Sequence, residues 1–406
     1  MKLSYRSTVF AGFLGYITQS ITINFYPLLF VTFGKQYGLS LSKISLLIVI
    51  CFCAQLFIDA TAWRFSRFFH PRTTVVLAQL FASIGVASLG FLPHILSPYP
   101  ALVIAVLLSG LGSGLVEVMV SPIVEACPTK RKSAYMCLLH SFYCWGHVLV
   151  VLVSTLYFSI FGIENWEYLA YLWALVPLFD MVLFLFVPIY PTESEQEKEA
   201  PRAFMKNKIF WLIFAMMICG GAAELAMSQW ASEFAENGLG VSKTVGDLLG
   251  PCLFAVFMGS ARLIYVKMSQ KVSMNRFMAA SCVLCILSYA LAALAPNPIL
   301  ALLGCALCGF SVGVMWPGCL SKATSLLHTG GVSMFALLAL GGDIGCLTGP
   351  ALVGAMADLF GGNLRLSLLL SSLFPVLLLI ALFVLIRLTK KTSSSHERKD
   401  THASQT

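Results

Sequence analysis

The chain has 406 residues, of which 58% are hydrophobic and only 11% charged. A soluble domain carries about 25% charged residues, so a surface of this size could not be solvated and a soluble globular fold is excluded. The net charge of +8 does not point to nucleic acid, because the basic residues sit in short loops between apolar runs, where membrane topology accounts for them.

A helix needs about 20 predominantly apolar residues to cross the hydrocarbon core. Counting such runs gives twelve, at 9–33, 42–62, 73–94, 99–124, 133–160, 168–190, 208–235, 245–266, 275–295, 298–321, 332–356 and 365–388. They are continuously apolar rather than alternating, which predicts helices and not a barrel. Lys2 and Arg6 precede the first run as they would in a signal peptide. That run is too long and lacks a small-x-small cleavage site, so it reads as a retained first helix. With the N-terminus in the cytoplasm, 21 of the 26 Lys and Arg residues fall on the inner side. Only Lys35, Lys43, Lys243 and Arg365 fall outside, and Arg262 lies within a run. That asymmetry predicts both termini in the cytoplasm, and the multi-pass protein is expected in the plasma membrane.

The polar groups inside the runs are the candidates for function, since each is costly in hydrocarbon. Run one carries Gln19 and Asn24. Run four carries Glu117, and Gly110, Gly114, Glu117 and Ser121 are spaced i, i+4, i+7 and i+11. This single stripe of small and polar residues lets a neighbouring helix approach while keeping the carboxylate off the lipid. Glu117 could accept substrate hydroxyls, hold a transported proton, or simply bond a neighbouring helix. Run five places His140, Tyr143 and His147 on one face, with Trp145 nearby. The two histidines are two turns apart with no third ligand in range, so a cavity-lining or packing face is expected and no metal or other cofactor. Asp180 in run six is ambiguous.

The segment 191–207 is polar and charged and falls at the midpoint, which predicts a cytoplasmic linker. The domains expected are 1–190, an N-terminal six-helix half, and 208–388, its C-terminal counterpart. A polar, disordered cytoplasmic tail is expected at 389–406. In run seven, Gly221, Glu224 and Ser228 share a face. Trp230 is either a ring for stacking or an interfacial anchor. Run eight contains Arg262 and run eleven Asp343, within Gly341-Gly342-Asp343-x-Gly345; a charge-neutralising pair between Asp343 and Arg262 is one expectation. Glu125, Lys322 and Asp358 lie near run ends and are expected to be solvated. Most of the thirteen cysteines lie inside apolar runs, where Cys acts as a small hydrophobe. Cys282/Cys285 and Cys305/Cys308 have CxxC spacing but no second pair at zinc spacing.

The chain also repeats itself. A shift of 199 residues carries Gly110, Gly114, Gly146 and Phe161-Gly162 onto Gly309, Gly313, Gly345 and Phe360-Gly361. A shift of 200 carries Gly38-Leu39-x-x-Ser42-Lys43 onto Gly238-Leu239-x-x-Ser242-Lys243, and Pro98 onto Pro298. Six runs separate the copies, so the two halves share membrane orientation, a parallel repeat. Glu117 maps onto Trp316 and Asn24 onto Glu224. A carboxylate in one half against an indole in the other is either divergence without consequence or an asymmetric site for a sugar, whose apolar face an indole can cover.

Twelve spans as two parallel sixes with a central linker resemble the major facilitator superfamily. The expected fold is therefore all-α and polytopic, with twelve transmembrane helices in two pseudo-symmetric six-helix bundles. The superfamily's acidic-and-basic loop signature is degenerate here: Asp59 and the cluster Arg64, Arg67 and Arg72 occupy its region without its spacing. Gly110-x-Gly112, Glu117 and Ser121-Pro122, with Gly221, Glu224 and Trp230, are similar to the fucose/proton symporter branch. That branch places an acidic residue in span one, where this chain has Gln19 and Asn24. The resemblance implies a secondary carrier of a small polar solute, a sugar or related metabolite, rocking about a midplane site and coupled to H⁺. On it, Glu117, Glu224, Gln19, Asn24, His140, Tyr143, His147, Trp316 and Asp343 bind substrate or proton. Asp59, Arg64, Arg262, Gly110, Gly114, Gly309 and Gly313 serve structure or gating. The alternative is a drug or amphiphile exporter of the same superfamily. An enzyme should show a nucleophile and base, and a sensor an output domain; neither is legible. No phosphate-binding loop G-x-x-x-x-G-K-[ST] occurs. The expected partners are a small-molecule substrate, H⁺ and membrane lipid, with the protein a monomer.

Overall fold

The computed structural model describes residues 4–39, 41–65, 68–191, 203–231, 234–235, 239–241, 248–327, 331–361 and 363–403. Most of the linker expected at 191–207 lies outside these residues, as do Arg67 and, in the second loop copy, Gly238, Ser242 and Lys243. Among the described residues there are helices and no strands.

Among the described residues ten helices are long and apolar enough to cross a membrane, from 20 to 30 residues each. A continuous helix is what the bilayer demands, because it satisfies every backbone N–H and C=O without water. The first six runs become α1 (Tyr5–Asn24) with α2 (Phe30–Tyr37), then α3 (Leu41–Phe65), α4 (Pro71–Phe91), α5 (Pro98–Glu125), α6 (Lys132–Phe161) and α7 (Trp166–Phe186). The later runs become α8 (Lys208–Ser228), α9 (Leu253–Met268), α10 (Met274–Leu294), α11 (Pro298–Val312), α12 (Met315–Leu326), α13 (Gly331–Leu359), α14 (Leu364–Ser371) and α15 (Leu373–Ala403). Among the described residues all twelve apolar runs thus fall largely on helix, and the protein is an all-α polytopic membrane protein.

Local chemistry explains where the helices begin and break. Pro71, Pro98 and Pro298 stand in the first turns of α4, α5 and α11, where a missing N–H costs nothing. The side chains of Asn207, Asn297 and Asn363 accept from Ile209, Leu300 and Leu366 N–H and cap α8, α11 and α14. The run expected at 9–33 is not one helix. A 3₁₀ turn over Tyr26–Leu29, containing Pro27, separates α1 from α2. The run at 298–321 breaks at Gly313-Val314. The run at 245–266 enters α9 through a π turn, Leu248–Cys252, around Pro251. At the other end α15 continues to Ala403, where a disordered tail was expected. Residues 389–403 contain no Gly or Pro, and extending an existing helix is far easier than nucleating one.

The chain forms two compact units. The first comprises Met1–Phe204, Met258–Val266 and His328–Leu340; the second comprises Met205–Phe257, Lys267–Leu327 and Gly341–Thr406. Their helices are apolar all round, as membrane spans should be. On α7 the buried side is Trp166, Leu169, Trp173, Pro177 and Asp180, while Tyr168, Leu172, Phe179 and Phe186 face outward, exposed by more than half. With no hydrophobic drive between helices in lipid, small residues that allow close packing hold such a bundle together.

The glycine repeat does that work in both units. A Cβ at Gly110 would stand 2.7 Å from the Cys51 carbonyl oxygen of α3, and one at Gly309 would collide with the Phe254 carbonyl of α9. A Cβ at Gly146 would stand 3.2 Å from Ile17 Cα on α1, and one at Gly345 would collide with the Ile218 carbonyl on α8. Paired glycines thus make equivalent helix contacts within their own units.

Candidate functional site

In the first unit the polar residues of α1, α5 and α6 come together. Gly12, Gly15, Tyr16 and Gln19 are buried on α1 at i, i+3, i+4 and i+7, so one face of that helix carries both its close contacts and its hydrogen-bonding groups. Gln19 Nε2 donates to Glu117 Oε2 at 2.9 Å. Gln19 is 5% exposed and Glu117 half-buried, so the carboxylate is partly accessible. One turn along α5, Ser121 Oγ lies 2.8 Å from Tyr16 Oη, and His140 Nε2 is 3.3 Å from Tyr16 and 3.4 Å from Ser121. All three are buried, and the Tyr16 and His140 rings meet edge to face at 4.7 Å.

Arg262 belongs to this same unit. Its Nη1 donates to the His140 carbonyl at 2.5 Å and to Cys144 Sγ at 3.0 Å. The guanidinium is 3% exposed, so these contacts supply partners that a buried cation requires. Asp343 belongs to the second unit. Ser20 Oγ donates to the Tyr143 carbonyl, at the point where Gly146 brings α6 close to α1. Tyr143 and His147 are both half-buried. Asn24 turns back on its own helix, Nδ2 donating to the Ser20 carbonyl at 2.9 Å.

The second unit has its own cluster. A Cβ at Gly221 of α8 would collide with the Gly342 carbonyl and stand 3.1 Å from Cys346 Sγ, and one at Gly342 would collide with the Trp316 ring. Glu224 follows Gly221 by one turn, and Asp343 adjoins Gly342. The helix break at Gly313-Val314 puts Trp316 at the start of α12. Glu224 and Trp316 are half-buried and Asp343 is 8% exposed. Trp230, read as a stacking ring or an interfacial anchor, lies just past the end of α8 and contacts α13. Its Nε1 donates to the Pro350 carbonyl at 3.0 Å and its ring packs on Gly354.

Of the loop-signature residues, Asp59 is fully buried at the end of α3 and Arg64 is exposed, its guanidinium 5.2 Å from the Phe65 ring centre. Arg72 donates to the carbonyls of Phe184, Leu185 and Val187 at 2.7, 2.8 and 3.0 Å. It thereby caps the C-terminus of α7 with charge that suits the helix dipole. Gly114 packs against Gln55 and Ile58, while Ser113 Oγ donates to Gln55 Oε1 at 3.1 Å. Among the described residues no three His, Cys, Asp or Glu side chains are placed to hold a metal ion.

Tyr16 was missed in the sequence. Its signal was the stripe Gly12, Gly15, Tyr16 and Gln19, the α1 counterpart of the stripe that singled out Glu117. What the two stripes build is a polar seam inside a bundle of apolar spans.

Residues 8–334 match the family model of the Major Facilitator Superfamily, and the chain belongs to that superfamily. No curated protein matches it at the level of sequence. Among solved structures it is similar to the E. coli fucose:proton symporter FucP, at 13% identity over 94% of this chain and 99% of that one, with a TM-score of 0.79. It is also similar to FucP in the outward conformation, at 14% identity over 94% and 99%, TM-score 0.80. The proton:xylose symporter XylE, bound to 6-bromo-6-deoxy-D-glucose, aligns at 14% identity over 93% and 95%, TM-score 0.79. At these identities the likeness is one of fold. The chain is thus a multi-pass integral membrane transporter of the major facilitator fold.

Proposed function

We propose that this transporter is a proton-coupled secondary carrier of a small polar solute, a sugar or a related metabolite, working by alternating access. The observation that carries the reading is the contact between Gln19 and Glu117. A half-buried carboxylate in the middle of a span, with Gln19 donating to one of its oxygens, is an accessible acceptor suited to solute hydroxyls or to a proton. In the second unit Glu224 of α8, Trp316 of α12 and Asp343 of α13 are the candidate groups: carboxylates and an indole suit a ligand with hydroxyl edges and apolar faces. Tyr16, Ser121 and His140 bond one another, which fits a role in holding α1, α5 and α6 in register around Glu117. The structural neighbours FucP and XylE, whose coupling is to protons, support the same reading.

The asymmetry of Lys and Arg supports an orientation with both termini and the segment 191–207 cytoplasmic, and the plasma membrane is the membrane proposed for the carrier. Reconstituted protein, given a panel of labelled sugars and an inward proton gradient, should accumulate one of them. Collapse of the gradient should stop accumulation, and Glu117→Gln should abolish it. Accumulation that follows a sodium gradient and ignores pH would overturn the coupling. Extrusion of amphiphilic dyes with no sugar uptake would overturn the substrate class.

A further inference from the structure

A second polar group lies in the first unit, away from the contact of Gln19 with Glu117, where α1, α4 and α7 meet. Asp180 of α7, Gln79 of α4 and Thr18 of α1 are each 0% exposed. Among the described residues none of their five side-chain polar atoms, Asp180 Oδ1 and Oδ2, Gln79 Oε1 and Nε2, and Thr18 Oγ1, has a hydrogen-bond partner. Two of them lie against Gly15: a Cβ there would stand 3.4 Å from Gln79 Nε2 and 3.7 Å from Asp180 Oδ2. Thr18 follows Gly15 by one turn on the same face of α1.

Buried polar atoms are seldom left without partners, and a lone carboxylate least of all. Among the described residues, α1, α4 and α7 place no cation beside it. The α5 and α7 segments contain no Lys or Arg, α1 has only Arg6 at its start, and α4 has only Arg72, which is committed to the carbonyls ending α7. A proton on Asp180 would cancel the charge but supply a single donor, leaving most of the other atoms without partners. A divalent ion would leave an excess positive charge in hydrocarbon. A small monovalent cation balances one carboxylate, and hard cations take oxygen ligands. Asp180 and Thr18 supply these as a carboxylate and a hydroxyl, and Gln79 supplies an amide oxygen once its amide, whose Nε2 is the atom nearest Gly15, is turned over.

We propose that Asp180, Gln79 and Thr18 form a binding site for a sodium-sized monovalent cation within the first unit. The site uses a different carboxylate from the one assigned to solute and proton, and it stands or falls independently of that assignment. Its test is thermal unfolding of the purified full chain in NaCl, LiCl, KCl or choline chloride at equal ionic strength and mildly alkaline pH. Sodium should raise the midpoint saturably by about 2–4 °C over choline. Asp180→Asn should remove that rise, and Thr18→Val and Gln79→Leu should each move half-saturation upward by about tenfold. Glu117→Gln should leave it intact. Equal midpoints in sodium and choline would overturn the site, as would a rise that survives in Asp180→Asn or vanishes in Glu117→Gln. If Asp180→Asn does not fold, Thr18→Val decides, because an unchanged half-saturation there overturns the proposal.

Discussion

Glu117 and Gln19 are 98 residues apart in the chain and share a hydrogen bond. A hydrogen bond to a charged group contributes about 1.5–3 kcal/mol, so the pair sets the position of the carboxylate. Glu117→Gln keeps a side chain of the same size that can still bond Gln19 but cannot carry a proton. Proton-driven accumulation should therefore fall by at least about tenfold while solute exchange without a gradient is less affected. Gln19→Leu should instead weaken solute binding in both assays, because the carboxylate loses its orienting donor. Equal losses in both assays for both variants would remove the separation of roles argued here. Cys127, in the loop between α5 and α6, allows a check on packing by pH. It is fully buried, its Sγ donates to the Ile123 carbonyl at 3.5 Å, and burial pushes its thiol up to about 11. Only the thiolate reacts with maleimide, so labelling of Cys127 should be slow at neutral pH and rise about tenfold per pH unit as the pH approaches that value. Rapid labelling at neutral pH would show the loop to be open.

At the scale of elements, the helices are held at close range by glycines whose neighbours cannot yield. Gly345 sits against the backbone of α8 at Ile218, whereas a Cβ at Gly220 would meet only Met315 Cβ at 3.4 Å and Leu378 Cδ1 at 3.6 Å, ordinary contact distances. Gly345→Ala should destabilise the folded protein by about 1–3 kcal/mol, since two helices must separate. Gly220→Ala should be neutral or stabilising by up to about 1 kcal/mol through the gain in helix propensity. Unfolding midpoints of the two variants in detergent measure the contrast, and a destabilised Gly220→Ala with an unaffected Gly345→Ala would contradict it. The same element-level view explains the broken helices. Gly313-Val314 and the Pro27 turn interrupt spans that hydropathy alone reads as continuous, because a hydropathy window registers apolar area and not backbone hydrogen bonding.

For the whole molecule, the distribution of Lys and Arg makes a topological prediction. Tags at the N-terminus and after Thr406 should be reached only from the cytoplasmic side, and a tag inserted at Ser97 between α4 and α5 only from outside. Any tag reached from the opposite side would reverse that orientation. The sequence alone determined the twelve apolar runs, the all-helical fold and the internal repeat. These follow from properties each residue has by itself: transfer into hydrocarbon, the need to satisfy the backbone within one segment, and the absence of a side chain on glycine. It also put Glu117, Glu224 and Asp343 forward, since a carboxylate in such a run stands out whatever surrounds it. Which groups meet was decided only by the tertiary structure. Gln19 finding Glu117, Tyr16 joining Ser121 and His140, Arg262 reaching the His140 carbonyl, and Gln79 and Asp180 closing on Gly15 all depend on how far each helix is rotated about its axis. In a span that is apolar on every face, rotation leaves little trace in the hydrophobic pattern, because lipid and protein interior accept the same residues; packing against neighbouring helices sets it.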